Sequence, residues 1–369
     1  MNAGDRIRAT YQFKPLDHLV RREFSIWPEA IEEWKKQGLP PDYEERNLFS
    51  YDPPGIAEVG LNLGWCEPPF FPAYEDKVIR QEGDTEVVQD IAGRWLRVFK
   101  GRRHGFMPTY IKHAVAGWKD WEEEVAPRLD PSDPKRYEEL EEKCALAAKL
   151  GKAEGRFIRQ GMIGGYMYLR ALIGPTEVLY AFHDQPHLIH VIMQRWAEVM
   201  NAGLERIQQY IALDELGLGE DICYNHGLLI SPDMVKEFLL PYYQDVASKA
   251  RRRQSKKLYF HVDTDGWAEP AVPLYLAAGM DVMSPWEVAA GCDVVQIGRK
   301  WPGLVMIGGI DKRVLAAGEE AIERFLARVI PPMVKRGGYI PTCDHGVPVN
   351  VRYEDYLYYR ARICELDHL

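Results

Sequence analysis

The chain has 369 residues, 46% hydrophobic and 27% charged, enough to bury a large core and too apolar for a disordered chain. A formal net charge of -9 argues against a nucleic-acid partner, because phosphate-backbone binding draws on a clustered excess of Lys and Arg. The six cysteines (66, 144, 223, 292, 343 and 364) are scattered without a CxxC pair, no secretory leader is read, and no window holds eighteen uninterrupted apolar residues. A cytoplasmic protein with no membrane span is the expectation.

Residues 1 to about 105 are irregular in pattern, rich in Trp, Tyr and Pro, with proline pairs at 40–41, 53–54 and 68–69. They predict a helical and loop-rich N-terminal elaboration packed on a main body at 106–369, the whole forming one structural domain. Segment 119–150 breaks at its prolines and then reads as an exposed helix laced with charge.

From about 156 onward, short apolar runs alternate with helical patterns, the sign of βα units. Strands are predicted at 156–160, 221–225, 257–262, 280–284, 304–308 and 338–342. Leu188, Ile192, Trp196, Val199, Ile207 and Ile211 form one helical face. Further helices are predicted at 232–253 (opened by Ser231 and Pro232), 269–278, 312–329 and 353–366. The run Arg251-Arg252-Arg253 falls where a helix ends and complements its C-terminus.

An open doubly wound sheet and a closed (β/α)8 barrel both fit this order, and the polar residues choose between them. An open sheet gathers its chemistry at one switch point, whereas a barrel collects it from many strand ends. Here it comes from many. Asp221 sits at one candidate strand; His261, Asp263 and Asp265 follow the next; Trp286 and Glu287 follow the third. Asp311 ends the fourth after Gly308-Gly309, and Cys343, Asp344 and His345 end the last. A single α/β (β/α)8 TIM barrel is therefore predicted.

Alternation aims His261 and Asp263 to one side, so the pair can share a metal or a substrate. Asp265 reads as a cap for the helix near 269 or as a substrate contact. With Glu287 and Cys343, the pair completes a set of imidazole, carboxylate and thiolate donors that zinc accepts. Asp311 reads chiefly as a helix cap, with some contact to substrate at the mouth.

Six stretches resemble the uroporphyrinogen decarboxylase superfamily: "KGRRHGFMPTYIKH", "GLLISPDMVKEFLLPYY", "VDTDGW", "AAGMDVMSPWEVAAGCDV", "GGIDKRVL" and "GGYIPTCDHGVP...YEDYLYYRAR". The resemblance covers the chain from about 95 to its end and implies the same single barrel. That family includes porphyrinogen decarboxylases and zinc-dependent methyltransferases that serve corrinoid proteins. The arginine motif of the decarboxylases, MRQAGRY, does not occur here. The methyltransferases hold zinc with a His-X-Cys pair and a distant Cys, sometimes with an intervening Glu. This chain has His261-Val262-Asp263, Glu287 and Cys343 in that order, departing at Asp263.

The resemblance implies a zinc-dependent demethylase moving a methyl group from a small methoxylated, aromatic donor to the corrinoid of a partner protein. Zinc would sit on His261, Glu287 and Cys343, with Asp263 as fourth ligand or as support for His261. Asp221, Asp344 and His345 would orient substrate or move a proton, and Trp286 would form an apolar wall. Two alternatives stay open. One is a metal-free lyase or decarboxylase of a smaller acid, in which Asp263, Asp344 and His345 protonate a carbanion. The other is a non-catalytic binding protein on a barrel scaffold. The ten Trp and twenty Tyr also raise the expectation of a homodimer surface.

Overall fold

The computed structural model describes residues 1–101 and 108–367, so the expected boundary at 105/106 and part of the "KGRRHGFMPTYIKH" stretch lie outside the described residues. From the N-terminus, helix Ala3–Tyr11 leads into an extended stretch, helix Pro28–Lys36 and strand β1 (Ile56–Glu58). Four antiparallel strands follow in a sheet of their own: β2 (Lys77–Glu82), β3 (Thr85–Gln89), β4 (Trp95–Phe99) and β5 (Thr109–Lys112). The expectation of a helical and loop-rich N-terminal part is corrected by this sheet. Only β3 has a run of buried residues, so the alternation that would have announced this sheet is weak.

The remaining strands are β6 (Phe157–Ile163), β7 (Glu215–Gly219), the hairpin pair β8 (Cys223–Tyr224) and β9 (Gly227–Leu228), then β10 (Tyr259–Asp263), β11 (Val282–Ser284), β12 (Val305–Ile307) and β13 (Tyr339–Ile340). Seven of the strands form one parallel sheet in the order β1-β6-β7-β10-β11-β12-β13. The strand expected at 221–225 is displaced: Glu215–Gly219 takes its place in the parallel sheet, and 221–225 lies beyond it, carrying β8 of the separate hairpin.

The sheet is curled. Phe157, Tyr259, Val282, Val305, Ile307 and Ile340, from five different strands, pack in one interior cluster with Ile7 and Tyr11 of the first helix and with Val20. Residues 21–27 stand between the sheet's two edges. Ile26 bridges Val347 in parallel, Val347 N–H donates to Ser25 O (2.9 Å), and Asp52 N–H donates to Arg21 O (2.8 Å) on the side of β1. The fold is thus an α/β fold built on a seven-stranded curled parallel sheet, with a bridged stretch where a regular eighth strand was expected.

The helices cover the outer face. In Pro186–Tyr210, residues Leu188, Ile192, Trp196, Val199 and Ile207 are all buried, while Ile211 falls just past the helix end. The Trp196 indole also donates to Ile163 O (2.9 Å), satisfying its buried N–H. Burying an indole of roughly 200 Å² contributes about 5 kcal/mol at roughly 25 cal/mol per Å². Ser231 caps residues 232–252 by accepting from Met234 N–H, as its place before Pro232 predicts. Gly318, at φ 90, splits the expected helix 312–329 into Lys312–Leu315 and Glu319–Arg336. Among the described residues no helix is long and apolar enough to cross a membrane.

Candidate active site

The lumen holds a continuous polar network. Glu215 on β7 is 2% exposed and accepts from Arg159 Nε (2.6 Å) and the Tyr11 hydroxyl (2.5 Å), while His261 Nδ1 stands 3.0 Å away. Arg159 also reaches Glu58 on β1 (2.7 Å). Glycine at 217 makes this crossing feasible, because a Cβ there would stand 2.3 Å from an Arg159 nitrogen. Burial pushes the Glu215 carboxyl up, but the charge and hydrogen bond of His261, then Arg159 and Tyr11, hold it well below the usual carboxylate range.

The second ring nitrogen of His261 lies 2.7 Å from the Ser284 hydroxyl, which donates in turn to Asp263. His261 and Asp263 therefore share a face, as alternation predicts, but they meet through Ser284. With Glu215 at Nδ1 and Ser284 at Nε2, both ring nitrogens are engaged.

Above this network, the loops after the strands carry a cluster of carboxylates. Asp221, in the left-handed region at φ 50, pairs with Arg170 (2.6 Å). Glu287 accepts from Lys312 Nζ (2.9 Å) and Gly266 N–H (2.8 Å), and these contacts outweigh burial to keep it ionised. Asp265 is pushed up to about 7, first by burial and then by the charges of Asp221, Asp263 and Glu287. His345 Nε2 stands 3.6 Å from the Asp265 carboxyl, its Nδ1 accepts from Gly346 N–H, and the ring lies against Phe24. Trp27, Asp265, Glu287, Lys312, His345 and Pro348 line a cavity of about 350 Å³.

Arg22 shares its side of the chain with Val20, in the lumen cluster, and with Phe24 beside His345. Its charge reaches Tyr11, and its Nε is buried with no partner among the described residues.

The other expected residues serve the frame. Asp344 is wholly buried and accepts from Val288 N–H (2.9 Å) and Lys312 N–H (3.2 Å), joining the loops after β11 and β12. Asp311 caps the helix at Lys312 by accepting from Arg313 N–H. Trp286 was expected as a wall of the pocket, but it is fully buried in the main core with its indole on Met283 O.

The donors expected for zinc do not gather. Among the described residues, no group of three or more His, Cys, Asp and Glu side chains is placed to hold a metal ion. His261 has both nitrogens engaged and Glu287 is tied to Lys312. Cys343 is fully buried, its thiol pushed well up by burial and by the charges of Glu23 and Asp344.

Glu215, Arg159, Ser284, Arg170, Lys312 and Arg22 were not singled out in the sequence. Glu215 had a signal: a lone acid opening "ELGLG", with glycines at alternate positions, reads as a strand clearing its inner face for a larger neighbour.

Comparison with known proteins agrees with this curled-sheet architecture. A methyltransferase from Methanosarcina mazei superposes over 99% of both chains with a TM-score of 0.59 at 13% identity, a likeness of fold. A protein named Uroporphyrinogen decarboxylase from Anaeromyxobacter sp. (strain Fw109-5) is 26% identical over 183 residues, and the match spans about half of that relative, 47% of its length. Residues 108–359, which carry six of the seven parallel strands and the mouth loops, match the family described as Uroporphyrinogen decarboxylase (URO-D), and the chain belongs to that family.

Proposed function

We propose that the mouth is a proton-donating site that removes a methyl group from a small methoxylated compound and passes it to a corrinoid carried by a separate protein. The balance of charge carries this reading. Arg170 and Lys312 are committed to Asp221 and Glu287, while Asp265 is a carboxyl poised near neutrality. Arg22 adds one buried nitrogen that has no partner among the described residues. Among the described residues, a substrate with many carboxylates, such as uroporphyrinogen, meets no cluster of free cations at the mouth, whereas a neutral or singly charged compound does not need one.

The corrinoid, when docked, supplies the nucleophile that takes the methyl group. As the carbon–oxygen bond breaks, its electron pair stays on oxygen, and Asp265 gives that oxygen its proton. The His345 imidazole, 3.6 Å away, then faces the carboxylate that remains. Proton transfer of this kind contributes roughly 10²–10⁴ in rate. The methyltransferase that shares the fold is in keeping with this reading.

A second reading is favoured by the same acid: decarboxylation of a smaller acid, with Arg22 holding a carboxylate and Asp265 protonating the carbanion. One experiment separates the two. The protein is incubated with isotope-labelled methoxylated compounds and reduced cobalamin, and in parallel with small carboxylic acids and with uroporphyrinogen. Label appearing on cobalamin supports demethylation. Carbon dioxide from a small acid without methyl transfer supports the second reading, and turnover of uroporphyrinogen contradicts both.

A further inference from the structure

Trp65 is 43% exposed, yet its position is closely determined. Leu63 O accepts from Ile163 N–H (3.1 Å), fixing the turn to the last residue of β6. Gly64 sits at φ 76, where a Cβ would stand 2.5 Å from Glu67 O and 3.0 Å from the Ile163 side chain. The turn thus admits only glycine at 64, and Trp65 follows directly.

The indole lies on a floor of glycine. A Cβ at Gly219, the last residue of β7, would stand 3.1–3.2 Å from three indole carbons, and one at Gly161 on β6 would stand 3.9 Å from the ring. A side chain at 219 would press against the ring, whereas the space over 161 is an ordinary packing distance. The turn also borders the reactive loops, since the Cys66 thiol senses the charges of Asp221 and Arg170. Arg94 secures it from behind, bonding Glu67 (2.9 Å) and Asp90 (2.7 Å). One face of a large aromatic ring is therefore seated on backbone at the strand ends while much of the side chain stays open beside the acidic loops. A planar ligand covers such a surface with little loss of side-chain freedom, because the ring is already held.

We propose that Trp65 is a stacking platform that selects an aromatic substrate, an aryl ring bearing the methoxy group. The assignment of the methyl group rests on the demethylation reading above; the platform itself does not.

Binding can be measured without turnover, by calorimetry on the full chain with catechol and 2-methoxyphenol as aryl probes and 2-methoxyethanol as the aliphatic control. Both aryl probes should bind the wild type more tightly than the control. Trp65→Ala should weaken aryl binding at least tenfold, Trp65→Phe should keep it within a few-fold, and Gly219→Ala, which pushes against the indole, should weaken it. Melting curves check that the variants fold, and Trp65→Phe stands as the conservative reference. Equal binding of aryl and aliphatic probes, no aryl binding, or unchanged aryl binding by Trp65→Ala overturns the platform. Aryl binding through Trp65 with no methyl transfer leaves the platform standing and sinks the demethylation reading. Methyl transfer from aliphatic donors that is untouched by Trp65→Ala does the reverse.

Discussion

His261 Nδ1 stands 3.0 Å from Glu215 Oε1 across neighbouring strands, 46 residues apart in sequence and both almost fully buried. That contact turns two polar residues of the lumen into one unit with Arg159 and Tyr11, and it fixes the orientation of the His261 ring.

Removing Glu215 leaves Arg159 and His261 without their shared counter-charge. Breaking a buried pair in this way costs about 3–5 kcal/mol, so Glu215→Ala should be strongly destabilised in urea unfolding. The sign of the pH effect follows from a folded-state pKa depressed below 4.5. The stability Glu215 contributes is present above that value and lost as pH falls through the acid range. Glu215→Gln should therefore show a flatter acid limb than wild type.

Arg22 has a buried guanidinium nitrogen with no hydrogen-bond partner among the described residues, and the proposed reading gives it the substrate's charge. Arg22→Ala should raise KM for a singly anionic donor by about tenfold and leave a neutral donor within a few-fold, each read from initial rates. Equal effects on both would remove Arg22 from substrate binding.

A second buried acid lies just beneath the mouth. Glu220 is fully buried, accepts from Tyr243 (2.5 Å) and Tyr275 (2.6 Å), and is pushed up to about 8 by burial. Between about 4.5 and about 8 the unfolded chain gives up this proton while the folded chain keeps it. Wild-type stability should thus fall with rising pH, on the order of 1 kcal/mol per unit from this group. Glu220→Gln, which stays neutral, should remove that slope in denaturant titrations at pH 5 to 8.

Much of the frame was legible in the sequence because parallel strands buried on both faces read as continuous apolar runs. That is why 257–262, 280–284, 304–308 and 338–342 fall on β10 to β13. Glu215–Gly219 escaped because it spends two of five positions on glycine, clearing room for Arg159 and Trp65, and β1 is only three residues long. At the site, the strand-end positions of Asp221, Asp265, Glu287 and His345 were readable from order alone. Their partners were not. Which side chain takes the second nitrogen of His261, or the charge of Glu287, is decided across the curled sheet by Ser284 and Lys312, and spacing along the chain carries no record of it.

Cys343 illustrates the same limit. Its place at a strand end matches a metal ligand, but its wholly buried, neutral thiol packs as a small apolar group. Cys343→Ala should leave the metal content of the purified protein unchanged and lower stability by about 1 kcal/mol. Stoichiometric zinc in wild type that is lost in Cys343→Ala would restore the ligand role.

The central claim is that Asp265 donates the proton, and the pH dependence of single-turnover methyl transfer to reduced cobalamin tests it most directly. Since its carboxyl is pushed up to about 7, the wild-type rate should hold below that pH and fall about tenfold per unit above it. Asp265→Ala should lose roughly 10²–10⁴ in rate and, with it, that pH dependence. A wild-type rate that stays flat from pH 6 to 9, together with full activity in Asp265→Ala, would contradict the account.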